Sequence, residues 1–116
     1  MTPVVRVKPG VEFTVIAPAG FRILAALTRA ATSFGSDLTI TSACDGEHSG
    51  PDDPHHRGEA YDIRSHDFPP DTKDVVLRTI MSNLDAATFY GFLEDPGTDN
   101  EHFHIQLRKG LVYPNA

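Results

Sequence analysis

Four of the six histidines lie in two short segments that also contain carboxylates, and both residue types are usual protein ligands of transition metals. The first runs from His55 to Asp62 and reads HHRGEAYD. The second runs from Glu101 to Gln106 and reads EHFHIQ. The single cysteine, Cys44, allows neither an internal disulfide nor a paired-cysteine metal site. Any bound metal must therefore be held by histidines and carboxylates.

The first segment ends in a predicted strand, on which Asp62 and Arg64 share one face. A half-buried carboxylate is costly unless it has a counter-charge or a metal. A metal ion, Arg57 or Arg64 would each supply that charge, and a solvated Asp62 is the remaining alternative.

The second segment alternates between apolar and polar residues, as a strand with one buried face does. The apolar residues Phe103, Ile105 and Leu107 are predicted to face the core, and His102, His104 and Gln106 the opposite side. Two histidines on one strand face suit a zinc site, and an exposed polar edge is the alternative. One His and one Asp from the first segment and one His from the second make three protein ligands. A catalytic zinc uses this number, with a water in the fourth position and a nearby Glu as base.

The two segments resemble those of the zinc D-Ala-D-Ala carboxypeptidases and L-alanyl-D-glutamate endopeptidases, a family that includes small phage endolysins. That family carries an SxHxxGxAxD motif, followed near the end of the domain by ExxH or a similar HxH-containing segment. The first motif is matched by His55, Gly58, Ala60 and Asp62, and the second by Glu101 and His104. The resemblance covers about residues 38–107.

The resemblance implies an enzyme, a zinc metallopeptidase with one zinc per chain, held by His55, Asp62 and His104. It also implies that Glu101 is the catalytic base for the zinc-bound water. Strict alternation puts Glu101 and His104 on opposite faces, so either the strand begins after Glu101 or His102 lies beside the water. The implied reaction is hydrolysis of peptide bonds adjoining D-amino acids in peptidoglycan stem peptides, by a DD-carboxypeptidase or an L-Ala-D-Glu endopeptidase.

Two departures from the family pattern bear on substrate binding. Asp53 stands where the family has serine, and the arginine expected after the family's first strand is absent from residues 42–46, SACDG. Arg57 or Arg64 is a candidate replacement, because a guanidinium binds a substrate carboxylate in bidentate fashion. His48 and His102 complete the predicted substrate-binding residues.

The alternative function is a non-catalytic zinc-binding domain of the same fold, acting as a binding or structural module. The hedgehog signalling domain shares this architecture, so the fold alone does not specify a peptidase. Glu101 favours the enzyme, because a structural zinc does not need a base.

These residues must be positioned by strands and helices that the hydrophobic periodicity predicts. Strands are predicted at about residues 11–15, 38–42, 59–64, 88–93 and 103–107, and a helix at about residues 21–34 that ends at Gly35. A second helix is predicted after Asp71, its N-cap. Its buried face is predicted to be Val76, Leu77, Ile80, Met81 and Leu84. We expect one α+β domain, residues 1–116, with a small antiparallel sheet and helices on one side, similar to the hedgehog and DD-peptidase domains.

Length and charge restrict the partners. A chain of 116 residues is enough for one hydrophobic core, and its net charge of −6 disfavours a general nucleic-acid binder. No apolar run approaches a membrane span, and the N-terminus lacks the features of a secretory signal. We therefore expect a monomer that is cytoplasmic until released to the cell wall, in the manner of a phage lysin, where it meets its peptidoglycan peptide substrate.

Overall fold

The computed structural model describes residues 2–46, 50 and 52–114. Two helices and five strands follow one another along the chain. They are β1 (Val5–Val7), α1 (Pro18–Phe34), β2 (Leu38–Ser42), β3 (Ala60–Arg64), α2 (Lys73–Met81), β4 (Phe89–Glu94) and β5 (His102–Leu107). Four of the predicted strands and both predicted helices are present, with ends that agree to within three residues.

The five strands form one mixed sheet in the order β1-β2-β3-β5-β4. β1 pairs with β2 in parallel, and the other three pairings are antiparallel. The α+β class is confirmed, but the expectation of a wholly antiparallel sheet is wrong at β1. The chain passes from β1 to β2 through α1, and such a helical crossover returns it to the sheet in the same direction.

The strand predicted at residues 11–15 is not formed, and β1 at Val5–Val7 was not predicted. The alternation in residues 11–15 instead reflects irregular chain whose Val11 and Phe13 pack against the core. The Glu12 backbone bonds to the segment after β2, where its carbonyl oxygen accepts the Cys44 N–H at 2.8 Å. The alternation of apolar residues in this segment therefore reflects the burial of Val11 and Phe13 and not the formation of a strand.

α1 begins at Pro18, a residue favoured at the first position of a helix. It ends as predicted at Gly35, which has φ of 68° and donates its N–H to the Ala31 carbonyl oxygen. α2 begins at Lys73, and its N-cap is Thr72 rather than the predicted Asp71. The predicted buried face is confirmed for Val76, Leu77, Ile80 and Met81, which belong to the core or pack against it, whereas Leu84 is buried but lies beyond the end of α2 at Met81.

Both helices pack on the same face of the sheet. There the core contains Tyr61 and Ile63 of β3 and Phe103 and Ile105 of β5, together with residues of both helices. The opposite face of β3 and β5 carries polar side chains, because successive residues of a strand point to opposite sides. Neither helix in the described part of the chain has the length and apolar character needed to cross a bilayer.

Candidate metal centre

Asp62 and His104 lie directly opposite one another on the polar face of the paired strands β3 and β5. Asp62 Oδ1 lies 3.0 Å from His104 Nδ1. Both residues are largely buried, at 8% and 9% exposure. The Phe92 ring on the neighbouring strand β4 covers His104, with 5.3 Å between the ring centroids. The sheet alone therefore brings two of the three predicted ligands into contact.

His55 reaches the same place from the loop that precedes β3. Its backbone N–H donates to Asp53 Oδ1 at 2.9 Å, so the Asp53 carboxylate stabilises the turn. Gly58 closes the turn with φ of 70°, and a Cβ there would lie 2.3 Å from the Val15 carbonyl oxygen. Only glycine fits this position, as expected for a small residue at a close backbone approach. The tight turn leaves the His55 side chain 3% exposed and directed at the sheet.

Three potential ligand atoms converge at this point. His55 Nε2 lies 3.2 Å from Asp62 Oδ1 and 3.3 Å from His104 Nδ1. With the 3.0 Å separation of Asp62 from His104, these distances describe a nearly equilateral triangle of two imidazole nitrogens and one carboxylate oxygen. The structure thus brings together all three predicted ligands in a grouping that can hold a metal ion.

The remaining ring nitrogens show where the imidazole protons lie. His55 donates Nδ1–H to the Ala43 carbonyl oxygen at 3.0 Å, because that oxygen can only accept. His104 donates Nε2–H to Gln106 Oε1 at 2.8 Å, while the Gln106 amide donates to the Leu107 carbonyl oxygen. The other nitrogen of each neutral ring then carries a lone pair aimed into the triangle. Such outer hydrogen bonds are the usual means of orienting metal-ligating histidines.

The charges within the triangle favour a cation at its centre. Burial is the largest single influence on the pKa of the Asp62 carboxyl and raises it, but the contacts with the His104, His55 and His102 imidazoles together outweigh burial and hold that pKa well below its ordinary value. Burial is also the largest single influence on the pKa of His104 and lowers it, but the hydrogen bonds with Asp62 and Gln106 and the charges of Asp62 and Glu94 together raise that pKa above its ordinary value. Both shifts have the same cause, since an ionised carboxylate among imidazole nitrogens favours a positive charge between them.

The triangle forms the floor of a cavity of about 580 Å³ on the polar face of the sheet. Glu94 and His102, which face each other across β4 and β5, stand at the cavity wall. His102 Nε2 lies 3.1 Å from Glu94 Oε1, and Glu94 Oε1 lies 3.8 Å from His104 Nδ1. His102, one of the two candidates for the residue beside the water, is therefore at the site. Glu94 is a carboxylate at the site that the motif did not include.

Glu101 lies elsewhere. β5 begins at His102, after Glu101, yet the Glu101 carboxylate still points to the helix-packed side, as strict alternation requires. There it is 7% exposed, accepts a hydrogen bond from Ser65 at 3.0 Å and forms an ion pair with Lys73 of α2. The Lys73 ammonium lowers the pKa of Glu101, which keeps the carboxylate ionised. Glu101 does not line the cavity of the triangle, but it lines the adjacent, smaller cavity of about 200 Å³ together with Arg64 and His102.

The predicted substrate-binding arginines differ in their surroundings. Arg57 points away, with Nε bonded to Glu59 at 2.8 Å and a terminal nitrogen bonded to the Asp52 carbonyl oxygen at 2.6 Å. Arg64 shares the face of Asp62, lies opposite His102 and lines a smaller cavity of about 200 Å³ beside the main one. His48 lies outside the described residues.

Two further residues at the site, Glu94 and Lys8, were not predicted from the sequence. Glu94 lies one residue beyond the strand predicted at residues 88–93, although a hairpin between β4 and β5 places it opposite His102. Lys8, just after β1, lines both cavities and brings a cationic side chain to them. No signal pointed to Lys8, because the strand that carries it was not predicted.

Comparisons with protein families, curated proteins and solved structures found no match. The candidate metal centre therefore rests on the residues and their geometry alone.

Proposed function

We propose that this protein is a zinc-dependent peptidase that hydrolyses peptide bonds adjoining D-amino acids in peptidoglycan stem peptides, with one catalytic zinc held by His55, Asp62 and His104. The observation that carries the proposal is the triangle of ligand atoms. Zinc bonds of about 2.0 Å in a tetrahedron separate neighbouring ligands by about 3.3 Å. The separations of 3.0, 3.2 and 3.3 Å agree with that value.

The number and type of ligands also suit a catalytic ion. Three protein ligands leave one position open, and that position faces the cavity rather than the core. A zinc ion held there would polarise a scissile carbonyl and lower the pKa of a water molecule toward neutrality. The cavity is large enough to admit a peptide segment.

Proton transfer is assigned to the pair Glu94 and His102 in place of Glu101. Both side chains stand at the cavity wall, and their polar atoms lie 3.1 Å apart. A carboxylate at this position can accept a proton from the attacking water and pass it to the nitrogen of the departing amine. His102 donates Nδ1–H to the Asn100 carbonyl oxygen at 2.6 Å, which directs its Nε2 toward Glu94 and the cavity.

The substrate class rests on the resemblance of the two motifs to cell-wall peptidases. Lys8 and Arg64 are compatible with it, since both are cations beside the cavities and can bind a peptide carboxylate. The test is digestion of purified peptidoglycan fragments by zinc-loaded protein, with the products identified by mass. Release of terminal D-alanine identifies a carboxypeptidase, and cleavage between L-alanine and D-glutamate an endopeptidase. Intact fragments after prolonged incubation with fully zinc-loaded protein would contradict the proposal.

A non-catalytic zinc-binding module is the second candidate. The observation in its favour concerns Glu101, the residue that the motif resemblance implies as the base. Its carboxylate forms an ion pair with Lys73 and accepts a hydrogen bond from Ser65, so it is not directed at the triangle. Under this alternative the protein binds zinc and stem peptides without cleaving them. Isothermal titration with a synthetic stem pentapeptide, run beside the digestion, separates the two candidates.

A further inference from the structure

Asp62 has two carboxylate oxygens, and only one of them faces the triangle. Oδ1 lies within 3.2 Å of both His55 Nε2 and His104 Nδ1. Oδ2 lies 3.5 Å from His102 Nε2, on the side of Glu94. One carboxylate therefore faces two separate sets of donor atoms, which is the arrangement of a carboxylate that bridges two cations.

The second set consists of Asp62, Glu94 and His102, which offer ligand atoms within 4.8 Å of one another. Glu94 Oε1 and His102 Nε2 lie 3.1 Å apart, close to the separation of neighbouring ligands on one ion. His102 donates Nδ1–H to the Asn100 carbonyl oxygen, so Nε2 is the ring nitrogen that faces the two carboxylates, at 3.1 Å from Glu94 and 3.5 Å from Asp62.

We propose that Asp62, Glu94 and His102 form a second divalent-cation site, bridged to the first by Asp62. The inference rests on the proposed metal centre, because Asp62 serves both sites. One imidazole nitrogen and two carboxylate oxygens suit zinc and also manganese. Paired sites bridged by protein carboxylates are a known arrangement of hydrolytic metal centres.

The second site binds its cation more weakly than the first. His55 and His104 are almost fully buried, whereas the Glu94 side chain is 40% exposed and must be ordered on binding. A first dication also neutralises much of the charge of Asp62 before a second arrives. The cavity wall adds the ammonium of Lys8, which opposes a second cation, and the carboxylate of Asp53, which favours it.

A cation at the second site regulates the proposed reaction. It occupies Glu94 and His102, the groups assigned to proton transfer, so neither can accept a proton from the attacking water. Excess zinc is therefore inhibitory, and the inhibition follows occupancy of the second site rather than the first.

The decisive experiment is equilibrium dialysis of the metal-free protein against rising zinc, with bound metal measured by mass spectrometry. The parent protein is expected to bind one equivalent tightly and a second at higher free zinc. Glu94→Gln keeps the side-chain shape but removes the charge, and it is expected to bind one equivalent only. Glu12→Gln, which removes an exposed carboxylate away from the cavity, is the matched control and is expected to bind two. His102→Asn is the second variant, and circular dichroism verifies that each variant is folded.

The outcomes separate this inference from the proposed function. A parent protein that binds one equivalent over the whole range overturns the second site and leaves the first intact. Two equivalents bound by both Glu94→Gln and His102→Asn place the second ion elsewhere and also overturn the inference. A parent protein that binds no zinc overturns both.

Discussion

Asp62 and His104 face each other across strands β3 and β5, with 3.0 Å between a carboxylate oxygen and an imidazole nitrogen. Both side chains are largely buried, so each is stabilised by the other or by a cation. The pair is the part of the candidate centre that the sheet itself builds, and His55 completes it from a loop. Substitutions at the ligands, at the residues that orient them and at the cavity wall affect different properties of the protein.

Replacing His104 by alanine is expected to abolish stoichiometric zinc binding, because two ligands cannot hold zinc against water and buffer. Bound metal measured after dialysis checks this expectation. His66→Ala is the matched control, since His66 is half-exposed and outside the triangle, and it should retain one equivalent. Full zinc content in His104→Ala would mean that the ligand assignment is wrong.

Gln106→Leu is expected to weaken zinc binding by about 10- to 100-fold without removing a ligand. The Gln106 oxygen accepts the Nε2–H of His104 and so keeps the Nδ1 lone pair directed at the triangle. Competition with a chromophoric chelator measures the change in affinity. An unchanged affinity would show that packing alone orients His104.

Glu94→Gln and Glu101→Gln are expected to separate catalysis from stability. Glu94→Gln should keep the tight zinc and lower the turnover number by roughly 100-fold or more, as the loss of a general base does. Glu101→Gln should lower stability and leave the turnover of the folded protein near that of the parent. Steady-state rates on a stem-peptide substrate, taken well below the unfolding temperature, provide the comparison. The reverse result would restore Glu101 as the base.

Because of the ion pair between Glu101 and Lys73, the free energy of unfolding is expected to decrease at low pH. Lys73 lowers the pKa of Glu101 in the folded protein below its ordinary value of 4.5. The unfolded chain then binds the proton more tightly, so the stabilisation is complete above pH 4.5 and is lost as the pH falls through the folded pKa. The difference in unfolding free energy between the parent and Glu101→Gln should therefore narrow on acidification. Urea unfolding over a pH series measures it, and a constant difference would contradict the assignment.

Arg64→Ala is expected to raise the Michaelis constant for stem peptides with a free terminal carboxylate and to leave zinc content unchanged. A charge-assisted contact of this type contributes about 1.5–3 kcal/mol, or roughly tenfold to over a hundredfold in efficiency. Amidated peptide is the control substrate, because it lacks the carboxylate. Lys8→Ala, tested in parallel, shows which cation provides the anchor. Equal loss on both peptides would exclude a role in binding the chain end.

Four of the five strands could be predicted from the sequence because their signal is local. Alternation with a period of two identifies β3 and β5 and puts Asp62 and His104 on polar faces. The set of three ligands was predicted from the resemblance of two short motifs, each of which lies within a single stretch of chain. The buried face of α2 follows from its own periodicity.

Only the tertiary structure decided which carboxylate stands at the site. The motif resemblance implies Glu101 as the base, whereas pairing of β4 with β5 brings Glu94 close to His104, and Glu101 forms an ion pair with Lys73. The position of Lys8 likewise depends on β1 joining the sheet in parallel, a pairing between distant segments. Neighbours across strands and between sheet and helix are set by packing of the whole chain, so no local pattern records them.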